Sequence, residues 1–479
     1  MNGCFATLTL YFIILFYGVL GCISKSTNKA DDSDFSETTN SQEQIVSDLK
    51  ENQTKMSTLI DESTAESINL SMSPRLEVQF TFDLERTAEN PLRGFYTNYA
   101  WSEPVIDFPD SLEFAYIPLS DLMLGPSDFT FDTSLEPRLL AAEARAHQLV
   151  LRPYIDYPAL VSGLPDFLDG QVEMRSYTQH GGGLSPDYDD PDLRAALLSF
   201  IEALGQKYDG DPRLAVVQIG LLGFWGEWHT WPHDAWFPDA DFQSEVLNAY
   251  ATAFEKTFLQ VRKPVAEVTN LRIGFHDDSF AYSTLGDIDW YFHPLLIEAK
   301  ADDRWREIPI GGELRPELQG EVFEDGYITG VYRQDFSDCV EATHASMLLA
   351  AQLYSGGLNS TIERERAEAA ALSLGYALHV SRAAIFGDSL EVSLENRGVA
   401  PFYPAIFLQV EDSNGMKATV ELPRLTSDQG CKRFRLSISM LISPSREAPW
   451  TLSLRSDYIL PTQKILFATA PGKDAIRVE

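Results

Sequence analysis

The alternation of apolar and polar positions divides the chain into four stretches. Residues 5–20 form one apolar run, FATLTLYFIILFYGVL, that stops at Gly21-Cys22. Residues 23–75 are rich in Ser, Thr, Asp, Glu, Asn and Gln and poor in aliphatics. Such a stretch buries too little apolar area to offset its ordering entropy, which predicts a polar, disordered tether. Between residues 76 and 384, short β-rich runs alternate with segments of helical apolar spacing. The strand-like runs are 93–99, 114–119, 149–155, 215–222, 271–275, 308–311, 327–332 and 345–349, and the helix-like ones are 135–147, 191–208, 242–261 and 362–384. Asp190-Pro191 supplies a capping residue and a first-turn proline for one of these helices. Alternation of this kind implies parallel strands joined by crossover helices, and its length suits an α/β protein of the (β/α)8 TIM-barrel type. Over residues 385–479 the runs at 389–394, 405–410, 434–440 and 450–454 are short, with turn residues between them and no helical period. This predicts a small all-β sandwich domain.

The opening run followed by a small residue and a cysteine reads as a secretory signal peptide over residues 1–22. Val19-Leu20-Gly21-Cys22 is similar to a bacterial lipobox, which makes Cys22 the lipidated first residue of a lipoprotein at the cell surface or in the periplasm. An uncleaved membrane anchor and plain secretion are the other readings, and all three export the rest of the chain.

Charge narrows the partners. Lys plus Arg number 37 against 71 Asp plus Glu, a net charge of −34, which repels phosphate backbones and argues against nucleic acid. It also weighs against adhesion to anionic lipid, leaving membrane contact to the N-terminal anchor alone. Four cysteines are too few for a disulfide scaffold; Cys339 and Cys431 are either bridged or free thiols. Neither G-x-G-x-x-G nor G-x-x-x-x-G-K-[ST] occurs, and the His180-Gly181-Gly182-Gly183 run has no G-x-S-x-G partner. His229 and His233 are four apart, but Trp231-Pro232 between them opposes a helix and H-E-x-x-H is missing, so no catalytic metal and no cofactor is expected.

In a parallel barrel the chemistry gathers where strands end. The fourth candidate strand runs into Gly223-Phe224-Trp225-Gly226-Glu227-Trp228-His229-Thr230-Trp231. A carboxylate among three indoles and an imidazole suits sugar recognition, because indoles stack on sugar rings and an apolar surround raises a carboxyl toward general-acid duty. The alternative is that the tryptophans are core and Glu227 a rim residue. Glycoside hydrolysis needs a second carboxylate, and Glu313 in Gly311-Gly312-Glu313 follows an apolar strand. A separation of about 5–5.5 Å between the two carboxyls implies retention and about 6.5–9.5 Å inversion. Asp277 and Asp278 are expected to bind sugar hydroxyls, or else to form a calcium or capping site. Arg152, within the third strand, is expected to hold a carboxylate; Arg93 and Tyr96 to line the cleft; and His344 to contribute the weakest contact, a satisfied core histidine being its simpler reading.

The motifs NPLRGFYTNY (90–99), GFWGEWHTWP (223–232), HDDS (276–279), GGELRP (311–316), THAS (343–346) and ENRGVAPFY (395–403) together resemble exported bacterial proteins with paired domains of unknown function 4874 and 4832. The resemblance covers nearly everything after residue 76. It implies a barrel followed by a sandwich and, by analogy with clan A glycoside hydrolases, sugar cleavage with an acid/base after the fourth strand and a nucleophile after the seventh. Glu227 matches the first position, with Gly226 where that clan has Asn. Glu313 matches the second if one further strand lies between 276 and 308. The expectation is an exported glycoside hydrolase using Glu227 as acid/base and Glu313 as nucleophile or base. The alternative is a non-catalytic carbohydrate-binding lipoprotein.

Overall fold

The computed structural model describes residues 73–479 except 102, 103, 107, 388, 413, 414, 438–449, 471–475 and 479. The expected signal, Cys22 and nearly all of the tether lie outside the described residues. No helix among the described residues is long and apolar enough to cross a membrane.

Eight parallel strands form the barrel: Gly94–Tyr96, Leu112–Pro118, Gln148–Tyr154, Leu214–Gln218, Phe258–Val261, Ile273–Phe280, Gly311–Leu314 and Met347–Leu349. Each pairs with its chain neighbour, the eighth pairs with the first, and a parallel bridge between Thr97 and Glu113 joins the first to the second. The ring is therefore closed, and the strands are buried on both faces, as crossover helices require. The helix Pro191–Tyr208 follows from its sequence: the Asp190 carboxylate accepts the Asp192 and Leu193 N–H groups, and Leu193, Leu197, Phe200, Ile201 and Leu204 form the buried stripe.

Three expectations are corrected. The apolar stretch 242–261 is not one helix. The helix Ala240–Ala253 ends there, and Phe258–Val261 is the fifth barrel strand. Residues 327–332 are not a strand but a single helical turn and a bend. With these two changes Glu313 lies on the seventh strand, the missing strand falling at 258–261 and not between 276 and 308. The third correction is the long helix at 362–384, which stops at Ser373 because the chain enters another strand at Leu378–Phe386.

That strand belongs to the sandwich. One antiparallel sheet runs Leu76–Gln79, Leu378–Phe386, Ser389–Asn396, Lys432–Ser437, and the other runs Lys417–Leu422, Ile406–Glu411, Trp450–Arg455, Ile476–Val478. Val380, Val392, Leu408 and Leu452 pack between the sheets, and the same core runs on to Leu112, Val150, Ala215 and Phe258 at the barrel's N-terminal end. Tyr458 donates its hydroxyl to Ala215 O at 2.7 Å and accepts from Phe258 N at 3.0 Å; Gln463 donates to Ser111 O at 3.2 Å and Ala146 O at 2.9 Å. The sandwich thus seals one end of the barrel and leaves the other, where the strands end, to the loops. Cys339 is buried, Cys431 exposed, and both are free.

Candidate active site

After the fourth strand the chain makes a tight turn whose backbone closes on itself: Phe224 N donates to His229 O at 2.8 Å and Trp228 N to Leu222 O at 3.1 Å. Gly223 has φ +77°, and a Cβ there would lie on the His229 backbone, so no other residue fits. Leu221, Trp225 and Trp228 also have positive φ, 69°, 54° and 59°. For L side chains this conformation costs about 1–2 kcal/mol each. Burial and hydrogen bonds offset the strain: the Trp228 indole is buried and donates to Ile219 O at 2.7 Å, and Trp225 N donates to Asp156 O at 2.7 Å. The turn presents Glu227 at the barrel mouth with its side chain 19% exposed.

Arg152 reaches Glu227 from inside the barrel. Its Nη1 is 3.5 Å from Glu227 Oε1 and its Nη2 2.9 Å from Asp278 Oδ2. Its Nε donates to Gln218 Oε1 at 2.8 Å, Gln218 reaches Gln260 at 3.4 Å, and Gln260 donates to Pro309 O at 3.0 Å. A polar belt across the third, fourth and fifth strands thus fixes the guanidinium. Phe114 and Tyr116 flank it at 5.4 and 5.5 Å from their ring centres.

Asp278 is buried, yet Arg152 and His276 overcome the desolvation and hold its carboxyl well below the usual range. His276 Nδ1 lies 2.9 Å from Asp278 Oδ1, and burial pushes its imidazole down, toward the neutral form. Arg262, following the fifth strand, lies 3.7 Å from Asp278 Oδ2.

Glu313 meets the opposite electrostatics. Burial, then the negative charges of Asp278 and Glu227, push its carboxyl well above the ordinary carboxylate range, against the pull of Arg152 and a 3.0 Å hydrogen bond from Gln319 Nε2. Gly312 lies so close to the Asp277 carbonyl that a Cβ would overlap it, and this approach sets the seventh strand against the sixth. Tyr157, after the third strand, feels both Glu313 and Glu227, and Tyr96 feels Glu313 and Asp278. Glu227, Glu313, Arg152, Asp278 and Tyr96 therefore face one space.

Beside Glu227, His229 Nε2 lies 3.7 Å from Glu227 Oε2, and His229 Nδ1 is buried without a hydrogen-bond partner. Asp156 is buried, accepts the Tyr177 hydroxyl on one oxygen and leaves the other without a hydrogen bond. Burial outweighs the Tyr177 and Ser185 contacts and the nearby His229, lifting the Asp156 carboxyl to about 6. The Trp225 ring is half-buried, 5.0 Å from His180 and 6.0 Å from His229, while Trp231 is exposed and 6.0 Å from His180.

Four expected contacts lie elsewhere. Arg93 precedes the first strand, at the sealed end; it is buried and donates to Thr87 Oγ1 at 2.5 Å and Leu372 O at 2.6 Å. His344 precedes the eighth strand, stacked on Trp305 at 3.6 Å with Nδ1 2.6 Å from Val399 O. Asp277 is on the opposite face of its strand from Asp278, accepting Ser279 N and the Thr284 hydroxyl at 3.0 and 2.7 Å. Trp228 is core, because its ring closes the turn. Conversely, Tyr116, Asp156, Tyr157, Gln218 and Arg262 join the cluster unforeseen. A count of strand phase from Arg152 was the available signal for Tyr116 and Gln218. Among the described residues no group of three or more His, Cys, Asp or Glu is placed to hold a metal ion.

No protein-family model matches the chain, and no curated protein matches it. Among solved structures the chain is similar to GH5_18 from Bifidobacterium longum subsp. longum, at 14% identity and TM-score 0.37 over 58% of this chain and 79% of that one. It is also similar to a family 39 glycoside hydrolase from the gut symbiont Bacteroides cellulosilyticus, at 9% identity and TM-score 0.36 over 73% and 81%. A third likeness is to xylanase XynB from Paenibacillus barcinonensis, at 11% identity and TM-score 0.33 over 57% and 86%. The barrel assignment rests on this chain's own strand pairing.

Proposed function

We propose that this chain is an exported glycoside hydrolase in which Glu227 and Glu313 act as the carboxyl pair on a poly- or oligosaccharide. The observation that carries the reading is the convergence of two carboxyls, from the fourth-strand turn and the seventh strand, on a space that Arg152, Tyr157 and Asp278 share. Glycosidic cleavage needs one carboxyl that keeps its proton and one that carries charge. Burial and acidic neighbours keep the proton on Glu313, whereas Glu227 faces Arg152. The proposed roles are therefore the reverse of those expected from strand order: Glu313 protonates the leaving oxygen, and Glu227 is the nucleophile or base. Trp225 and Trp231 offer ring faces to the sugar. Export draws its support from the apolar run and Cys22 of the sequence.

The test is hydrolysis of a panel of aryl glycosides and polysaccharides by wild type, Glu227→Gln and Glu313→Gln. The expected result is turnover by wild type on at least one member and loss in both variants, with glycan binding retained. Binding without turnover by wild type, lost in Trp225→Ala, would identify a carbohydrate-capturing protein instead. In the pH-rate profile, the limb attributed to the acid should vanish with Glu313→Gln; its survival there and loss in Glu227→Gln restores the original roles.

A further inference from the structure

At the sealed end of the barrel, where the sandwich meets it, a cavity of about 930 Å³ lies among Lys256, Arg272, Arg304 and Arg424, with Phe258 and Tyr403 also in its wall. It stands apart from Glu227 and Glu313, since Phe258 begins its strand at the N-terminal end. Four cations face only two acidic residues in the lining, Glu307 and Asp457. In a chain of net charge −34, a concave surface with a positive excess is out of keeping with the rest of the molecule.

The guanidiniums are held by the backbone and not by carboxylates. Arg272 donates to Thr257 O at 3.0 Å and Lys256 O at 2.9 Å, and lies 4.5 Å from the centre of the Phe258 ring. Arg424 donates to Tyr403 O at 3.1 Å and Arg306 O at 3.4 Å. Arg304 donates to Thr269 O at 3.0 Å and to two further carbonyls, Ile273 O and Leu271 O. Carbonyls fix a guanidinium in place without supplying the full negative charge of a carboxylate. Among the described residues only Arg304 has a carboxylate in ion-pair range, Glu307 at 3.6 Å. Burial destabilises the charged form of Arg272 against the pull of Tyr458 and Asp209, and Arg424 adds a smaller repulsion. Each of these two arginines uses two of the five N–H donors a guanidinium carries, so both have donors to spare.

Two guanidiniums lining one cavity are both stabilised by an anion bound there, and a guanidinium with free donors binds planar or tetrahedral oxyanions best. A cavity of this volume admits a ligand the size of a sugar ring. We propose that this cavity is a binding site for an acidic sugar, its carboxylate or sulfate held by Arg272 and Arg424. The proposal does not depend on the chemistry of Glu227 and Glu313.

The test is calorimetric titration of the full chain with D-glucuronate, inorganic sulfate and glucose at low salt. Saturable one-to-one binding of glucuronate is expected, with sulfate competing and glucose inert, and with affinity falling as salt screens the charges. Arg424→Gln, an exposed position, and Arg272→Gln should each weaken binding about tenfold or more, as loss of a charge-assisted hydrogen bond does. Arg366→Gln, the same change of charge on the helix Thr361–Ser373, which does not line the cavity, should leave it unaltered, and so should Glu313→Gln. If Arg272→Gln fails to fold, Arg424→Gln decides alone. Absence of saturable glucuronate binding, sulfate binding without glucuronate, or binding indifferent to Arg424→Gln each overturns the proposal, as does binding lost in Glu313→Gln.

Discussion

The two ends of the barrel share the same eight strands but treat buried polar groups in opposite ways. At the sealed end the polar side chains answer to backbone: Arg93 to Thr87 and Leu372, Gln463 to Ser111 and Ala146, and Asn90 to both the carbonyl and the N–H of Leu466. These contacts satisfy donors and acceptors without charge, and outside the arginine-lined cavity the buried carboxylate Glu113 meets opposite charge there, Arg145 at 2.6 Å and His147 at 2.9 Å. At the open end charge meets charge. Arg152 is contested by Glu227 and Asp278, Asp278 is also approached by Arg262 and His276, and Glu313 is left among acids that push its carboxyl up. The turn that carries Glu227 adds three bulky residues at positive φ. Competing buried charges and backbone strain gathered in one place mark that place as one shaped by function.

The sharpest way to break this contrast is at the carboxyls. Glu313→Gln and Glu227→Gln should each lower kcat by up to about 10⁴-fold, the upper range for general acid–base groups, with the melting temperature unchanged or raised. Arg93→Gln at the other end should do the reverse, lowering the melting temperature and leaving kcat alone. Steady-state rates and thermal melts on the three variants check this together; a loss of kcat in Arg93→Gln as large as in Glu313→Gln removes the distinction between the ends.

Arg152→Met comes next. Removing one member of a buried ion-pair network strands the others, at a cost of about 3–5 kcal/mol. Arg152 also pulls the Glu313 carboxyl down, so its removal should move the limb of the activity profile set by Glu313 to higher pH as well. The double variant Arg152→Met/Asp278→Asn should recover part of the stability, because it removes the stranded charge along with its partner. Chemical denaturation of single and double variants measures the recovery.

Much of this contrast was legible in the chain, and the failures have physical causes. The helix Pro191–Tyr208 was readable to its ends because its cap, first-turn proline and apolar stripe agree. The strand Phe258–Val261 was hidden because FLQV continues the apolar spacing of the helix before it, and only Thr257, β-branched, marks the change. Tyr327–Thr329 showed the opposite error, aromatic and β-branched residues in a helical turn packed under the seventh-strand loop. At the site, Glu227, Glu313, Arg152 and Asp278 stood out as charges next to apolar runs. Arg93 and His344 did too, but both precede their strands, and a group before a parallel strand lies at the sealed end. Which acid would hold the proton was not readable, because it depends on neighbours brought from four strands.

Asp156 gives a smaller effect with a definite sign. Its carboxyl is raised from 3.8 to about 6 in the fold by burial. A raised acid binds protons more tightly folded than unfolded, so its contribution is fully present below about pH 3.8 and is lost as pH rises through 6. The interval corresponds to about 3 kcal/mol. Asp156→Asn keeps an oxygen for the Tyr177 hydroxyl but has no charge to bury. Its stability relative to wild type should therefore grow between pH 4 and about 7. Melts across this range that run parallel for the two proteins would show that Asp156 is solvated and not part of the strained end.

The smallest expected effect belongs to the sealed end. His344 has φ 54°, a conformation that Asn adopts more readily than Ala, and it stacks on Trp305 while its Nδ1 meets Val399 O. Burial pushes its imidazole down, so it holds the junction as a neutral ring and not as a charge. His344→Ala should lose the stack, the hydrogen bond and the backbone preference, about 1–2 kcal/mol together, or a few degrees of melting temperature. His344→Asn should lose less, because it retains the preference for that backbone conformation. Neither should alter kcat/KM or its pH dependence, since the residue lies across the barrel from the carboxyls. If His344→Asn changes the pH profile while Asp156→Asn does not, the sealed end and not the open one is tuned to protons, and the contrast between them runs the other way.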